Sequence, residues 1–117
     1  VVADALSMPF APASFDLVLD KGTFDAFEAA HFSTAGDRSA TGGVASLCRE
    51  VDRVLKRHAS AAWIQITHSA PELRLDLLAE SLPTEGKGVY GTWSIRHKSL
   101  GEDDNGFEYY VYTVSRL

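Results

Sequence analysis

The stretch Ser14–Asp25 constrains the fold more than any other part of the chain. Its first half, Phe15–Leu19, is a short and mostly apolar run of the kind that predicts a strand buried on both faces of a parallel sheet. An Asp-Lys-Gly-Thr turn follows, in which Gly22 permits a sharp bend and Thr23 can cap a helix that begins at Phe24. Because ligands of open α/β sheets bind beyond the carboxyl ends of strands, we look for function at this turn.

Composition and charge narrow the functional classes. The chain has 117 residues with 45% hydrophobic and 23% charged residues, as expected for one small globular domain. Its net charge of −5 argues against nucleic-acid and anionic-membrane partners. No apolar run approaches the ~20 residues of a membrane span, and the single Cys48 excludes an internal disulfide. We expect a cytoplasmic protein that binds neither nucleic acid nor membrane.

The periodicity of the sequence predicts strands that alternate with helices and end in a hairpin, an order typical of a sheet with parallel strands. Val1–Ala3 is typical of a strand entered midway, so we expect the chain to be part of a longer protein. The predicted elements are a strand at Phe15–Asp20, a helix at Phe24–Ala30, a loop at His31–Gly43, a helix from Val44 to about Lys56, a strand at Ala61–Thr67, a helix at Glu72–Leu82, a connector at Thr84–Gly91, and hairpin strands at Thr92–Leu100 and Phe107–Leu117 around the turn Gly101–Gly106.

Three stretches resemble the carboxyl-terminal half of class I S-adenosylmethionine-dependent methyltransferases. The resemblance is closest to the methyltransferase-like protein-lysine methyltransferases, which include the endothelin-converting-enzyme-2-type methyltransferase module. The stretches are Asp4–Phe10 followed by Ser14-Phe15-Asp16, then Asp20–Asp25, and then the helix Arg49–Leu55 followed by the strand Ala61–Thr67.

The resemblance implies an α/β, Rossmann-like sheet that is mostly parallel and carries a C-terminal antiparallel hairpin. Its strand order would be third, second, first, fourth, fifth, seventh, sixth, with Phe15–Asp20 as the fourth strand. Residues 1–117 would form the carboxyl-terminal part of one methyltransferase domain whose amino-terminal half is missing. The Gly-rich cofactor loop of the family lies upstream of this sequence, which contains no G-x-G-x-x-G.

The cofactor implied by the resemblance is S-adenosylmethionine, with S-adenosylhomocysteine as product. Asp4 would accept a hydrogen bond from the adenine amino group, and a backbone N–H of Ala5 or Leu6 would address the ring. A turn-forming role is the alternative for Asp4. The turn residues Asp20, Lys21 and Gly22 would line the methionine portion, although a simple turn and helix cap would also account for them.

The acceptor side of the implied site would consist of Thr23, Asp25, His68 and Arg74. Asp20 and Asp25 are the candidate catalytic residues, since a lysine nucleophile must lose a proton and a nearby carboxylate can assist. Asp25 could instead be a first-turn acid that suits the helix dipole. Arg74 could equally face solvent, and His68 could simply follow its strand.

We expect methyl transfer to a protein lysine, so a protein substrate is the expected partner. A non-catalytic module that cannot hold the cofactor alone, and a small-molecule methyltransferase, are the alternatives. The apolar edge of Phe15–Asp20 would be unpaired in this piece and could form a dimer. No metal is expected, because methyl transfer needs none and the four histidines lack ligand spacing. These histidines are His31, His58, His68 and His97.

Overall fold

Four strands and three helices form the described part of the protein. The computed structural model describes residues 3–33, 38–84 and 92–117, with the backbone alone for residues 38–42. Among these residues, no helix is both long enough and apolar enough to cross a membrane. The elements are β1 (Leu17–Lys21), α1 (Thr23–Ser33), α2 (Arg38–Val54), β2 (Ala62–Thr67), α3 (Pro71–Ser81), β3 (Trp93–Glu102) and β4 (Glu108–Arg116).

The described strands lie in one sheet in the order β1-β2-β4-β3. This order confirms the predicted hairpin and matches the expected sequence of fourth, fifth, seventh and sixth strands. The sheet is mixed, however, and not mostly parallel as predicted. β1 and β2 are parallel, whereas β4 is antiparallel to both of its neighbours. The reason is the tight turn between β3 and β4, which forces them to run in opposite directions while β4 inserts beside β2.

The core lies on one face of this sheet. Trp63 pairs with Val18 on one side and with Val114 on the other, so these side chains share that face. The apolar face of α2 is buried in this core, and Cys48 is fully buried within it. Burial raises the pKa of the Cys48 thiol to about 12. The central core residues are Phe24, Val44, Leu47, Cys48, Val51, Trp63, Leu77, Leu78, Leu82, Tyr112 and Val114.

The opposite face of the sheet is open at β1. The prediction that this strand is buried on both faces is wrong, because Leu17 is 53% and Leu19 is 64% exposed. Leu19 is in register with Ile64, which is in turn opposite Thr113, so these side chains line the open face. The described helices contribute to the core on the other face, and a one-sided cover leaves alternate residues of a strand exposed.

Two predicted boundaries are wrong where helices proved longer than expected. The loop predicted at His31–Gly43 is helical up to Ser33 and again from Arg38, and residues 34–37 lie outside the described part. Within α2, Gly43 lies in close contact with α1, since a Cβ at this position would lie 2.8 Å from Cδ1 of Phe27. Local composition suggested a loop, and tertiary contact overrode it. Residues 1–2 of the predicted first strand, and residues 85–91 of the predicted connector, also lie outside the described residues.

We predict that the 117-residue chain self-associates through the open face and edge of β1. Replacing Leu19 with Glu should weaken association at least about tenfold, because full burial of one leucine contributes about 1.5–3 kcal/mol. Sedimentation velocity over a concentration series measures this, with Leu100→Glu on β3 as the control, since Leu100 is 54% exposed. A monomeric wild-type chain with sharp cooperative melting would contradict the prediction.

Candidate functional site

The turn after β1 is built by the side chain of Asp20. Its Oδ1 accepts hydrogen bonds from the backbone N–H groups of Thr23, at 3.0 Å, and of Phe24, at 3.3 Å. Asp20 is therefore the residue that caps α1, and Thr23, predicted to be the cap, is instead the first residue of that helix. Gly22 has φ +94°, a conformation that other residues rarely adopt. The prediction that a glycine bends the chain here is confirmed.

The carboxyl group of Asp20 is only 7% exposed. Burial raises the pKa of this carboxyl group above its ordinary value, and the two N–H groups of α1 offset part of the effect. The nearby charge of Asp25 raises the pKa further, while that of Arg74 lowers it. An acid held between a helix N-terminus and an apolar surround is suited to interact with a charged ligand.

A cavity of about 120 Å³ opens beside this carboxyl group. It brings together Ala5 and Asp20, both predicted to bind cofactor, with Thr23, predicted to bind substrate. The indole nitrogen of Trp63, another lining residue, is buried without a hydrogen-bond partner among the described residues. The remaining lining is apolar: Met8, Val18, Leu19, Leu47 and Val51.

The loop Asp4–Phe10 is fastened to α2 by a pair of charged residues. Glu50 accepts a hydrogen bond from the backbone N–H of Met8 at 2.7 Å. Arg53 donates to the carbonyls of Met8 and Phe10 and forms an ion pair with Glu50. Within the loop, Oδ1 of Asp4 accepts from the N–H of Leu6 at 2.9 Å, so Asp4 makes the turn contact that was the alternative to cofactor binding. Its side chain remains at the surface.

Arg74 lies at the centre of a buried polar cluster. The predicted solvent-facing alternative is wrong, since Arg74 has no exposed surface. Its guanidinium donates to Asp25 at 2.5 Å, to Gln65 at 2.7 Å and to Glu28 at 3.1 Å. The guanidinium carbon also lies 4.2 Å from the centre of the Phe24 ring, a cation–π distance. This arginine therefore ties α1, β2 and α3 together.

Asp25 belongs to the same cluster and is not a free carboxylate. It pairs with Arg74 and accepts a hydrogen bond from the hydroxyl of Thr67 at 2.6 Å. Its side chain nevertheless remains 38% exposed, so part of the carboxylate faces solvent at the end of the sheet. Of the predicted acceptor residues, the structure thus brings Asp25 and Arg74 into contact.

His68 is placed apart from that cluster, against the hairpin. Its Nδ1 lies 2.9 Å from the carbonyl oxygen of Glu108, and its ring lies 3.7 Å from that of Tyr109. Since a carbonyl only accepts, Nδ1 carries the proton in this contact. His68 fixes the start of β4 over the carboxyl end of β2. Lys21, the remaining predicted turn residue, is exposed at the end of β1.

The sequence analysis missed three members of the cluster around Arg74, namely Glu28, Gln65 and Thr67. Two signals could have identified them. Glu28 follows Asp25 by three residues and so shares its helix face. Gln65 and Thr67 lie on the buried face of β2 and alternate along the strand with apolar residues of the other face. A buried polar side chain requires a hydrogen-bond partner. Such a partner had to be a polar group on a facing helix.

The described residues contain no group of three or more His, Cys, Asp or Glu side chains placed to hold a metal ion.

Comparison with known proteins shows similarity over nearly the whole chain. The chain is 32% identical over 116 residues, or 97% of its length, to EEF1A lysine methyltransferase 4 of Bos taurus. It spans 40% of the length of that relative. No protein-family model matches the chain. The mixed four-stranded sheet of the described residues is compatible with part of a Rossmann-like fold.

We predict that replacing Asp20 with Asn preserves the helix cap but changes the pH dependence of stability. A raised native pKa means that Asp20 contributes stability below its unfolded pKa, and that this contribution is lost as pH rises through the native value. The unfolding free energy of the Asn variant should therefore improve relative to wild type between about pH 3 and pH 7.

Urea unfolding across that pH range measures the difference. Asp20→Ala is the control, since it removes the cap and should lose about 0.5–2 kcal/mol. A pH-independent difference between the Asn variant and wild type would refute the raised pKa.

We also predict that Arg74→Met destabilises the protein by about 3–5 kcal/mol, because it leaves Glu28 and Asp25 without their buried cation. Denaturant unfolding at neutral pH measures this. Arg49→Met, at an exposed arginine of α2, is the matched control and should change stability by less than about 0.5 kcal/mol. A loss below about 1 kcal/mol in Arg74→Met would mean that the cluster is not structurally important.

Proposed function

We propose that the protein takes part in S-adenosylmethionine-dependent methyl transfer to the side-chain amine of a protein lysine. The observation that carries this proposal is the cavity beside the β1 turn, on which Ala5 and Asp20 converge at the carboxyl end of a parallel strand. Sites of open α/β sheets lie at such ends. The lysine methyltransferase relative supports the class of reaction.

The cavity suits part of the proposed cofactor. Its apolar walls, Met8, Val18 and Trp63, can contact a flat heterocycle, and Asp20 supplies a carboxylate next to it. At about 120 Å³ it is smaller than the roughly 300–1,000 Å³ of typical ligand pockets. The described residues would thus provide one wall of a cofactor site. The same observation favours the second candidate, a non-catalytic module that cannot hold the cofactor alone.

The cofactor-facing residues in this proposal are Asp4, Ala5, Leu6, Asp20, Lys21 and Gly22. The loop that carries the first three is held by Glu50 and Arg53, which would fix its position relative to β1. Gly22 has no side chain, and nothing lies within 4 Å of the position that a Cβ would take there. A ligand could therefore approach the backbone there.

When bound, S-adenosylmethionine supplies a methyl group on a sulfonium centre, and S-adenosylhomocysteine is the product. The amine lone pair must align with that methyl carbon, so positioning dominates the chemistry. In the proposed site, the half-exposed carboxylate of Asp25 would receive the lysine ammonium and assist loss of its proton. Arg74 and Thr67 would orient that carboxylate, and Thr23 and His68 would lie at the rim.

The matching test compares three variants with the wild-type chain. Asp20→Asn should keep the fold and lose at least about tenfold in methyl transfer, since it removes a charge near the reacting centre. Asp4→Ala should weaken cofactor binding by about 1–2 kcal/mol, the scale of one hydrogen bond. Asp104→Asn, on the exposed hairpin turn, is the control and should change neither quantity.

Transfer of a radiolabelled methyl group and calorimetry with S-adenosylmethionine give the two readouts. Wild-type turnover in Asp20→Asn would remove Asp20 from the site. A wild-type chain that does not bind the cofactor would favour the non-catalytic module.

A further inference from the structure

A second cavity, of about 160 Å³, lies between α1 and α3. We call it the α1–α3 groove. One wall is formed by His31 and Phe32 at the end of α1, and the other by five residues of α3. Those five are Glu72, Leu73, Asp76, Leu77 and Glu80. The groove shares Leu77 with the core and is lined by none of the residues assigned to the site described above.

The α3 wall carries three carboxylates in a row. Glu72, Asp76 and Glu80 are spaced four residues apart, so they project from one face of the helix. Like charges at this spacing destabilise a helix, and Glu80 sits in the last turn, where the helix dipole disfavours an acid. None of the three is in an ion pair with a described residue, although eight such pairs occur elsewhere in that part of the chain. A bound cationic segment would relieve this repulsion.

Apolar surface lies beside these charges. Phe32 is 49% and Leu73 is 52% exposed, and both line the cavity. Nδ1 of His31 is buried in the same wall and has no hydrogen-bond partner among the described residues. Acidic and apolar groups together fit a partner segment that is both basic and apolar.

We infer that the α1–α3 groove binds a basic, amphipathic segment of the protein substrate, next to the lysine that is methylated. This inference rests on the proposed function for the identity of the partner. Charge complementarity selects the occupant: a segment that carries Lys or Arg beside Leu-like residues matches three carboxylates and two exposed apolar side chains.

The geometry of α1 links the groove to the proposed acceptor site. Phe32 follows Asp25 by seven residues, or about 10 Å along the helix axis at 1.5 Å per residue. An extended chain covers about 3.3 Å per residue. A substrate whose lysine reached Asp25 would therefore place residues about three positions away in the groove.

Fluorescence anisotropy with a labelled peptide of about twelve Lys, Leu and Ala residues tests this directly. The wild-type chain should bind it, and the double variant Asp76→Asn with Glu80→Gln should raise Kd about 5–10-fold, as for two partly exposed ion pairs. Leu73→Ala should raise Kd several-fold through lost apolar contact. Added salt should weaken wild-type binding more than that of the double variant.

The matched control carries the same change of charge elsewhere. Glu102→Gln with Asp104→Asn, on the exposed end of the hairpin, should leave Kd within about twofold. A peptide with Glu in place of Lys should not bind. Unchanged binding in the groove double variant, equal weakening by the control pair, binding of the acidic peptide, or no binding of the basic peptide would each overturn the inference.

Failure of the proposed function gives a different pattern. Groove-dependent peptide binding without cofactor binding or methyl transfer would refute methyl transfer and retain the groove as a basic-segment site. Cofactor binding with peptide binding that ignores the groove variants would refute the groove alone.

Discussion

The buried cation of Arg74 is the interaction on which the arrangement of the site depends. It reaches Asp25 and Glu28 on α1 and Gln65 on β2 from its own position on α3. A buried ion pair is a poor source of net stability, because desolvation offsets much of the attraction. The buried cation instead determines the geometry of the site, because the carboxylates of Asp25 and Glu28 have low energy only where α1, β2 and α3 meet at Arg74. The cluster thus fixes where α1 begins relative to the end of β2.

The one-sided cover of the sheet is the second constraint. The described helices build the core on the face that carries Trp63 and Val114, so the other face of β1 shows Leu17 and Leu19 to solvent. These two leucines lie beside a strand edge that is unpaired in the described part of the chain. Exposed apolar surface of this kind is usually covered by other residues. The cavity of about 120 Å³ opens beside this strand and is lined in part by Val18 and Leu19.

Local patterns in the sequence predicted the order of elements correctly, and the predictions failed where tertiary contacts decide the structure. Alternation and turn residues sufficed for β2 and the hairpin, and Gly22 was read correctly from its turn. The start of α2 could not be predicted, because Gly43 is favourable in a helix only where Phe27 lies against it. The partners of Arg74 could not be predicted either, because the acids and the amide that contact this buried cation are distant from it in sequence.

The cap by Asp20 separates two roles that a single acid can play. Both oxygens lie within hydrogen-bond distance of the Phe24 N–H, and Oδ1 also accepts from Thr23, so the carboxyl group has a structural role whatever binds beside it. Its charge is not needed for that role, because an amide oxygen accepts the same hydrogen bonds. Burial nevertheless acts against the charge and raises the pKa. The cap and the raised pKa of Asp20 therefore have separate causes, namely hydrogen bonding to the start of α1 and burial of the carboxyl group.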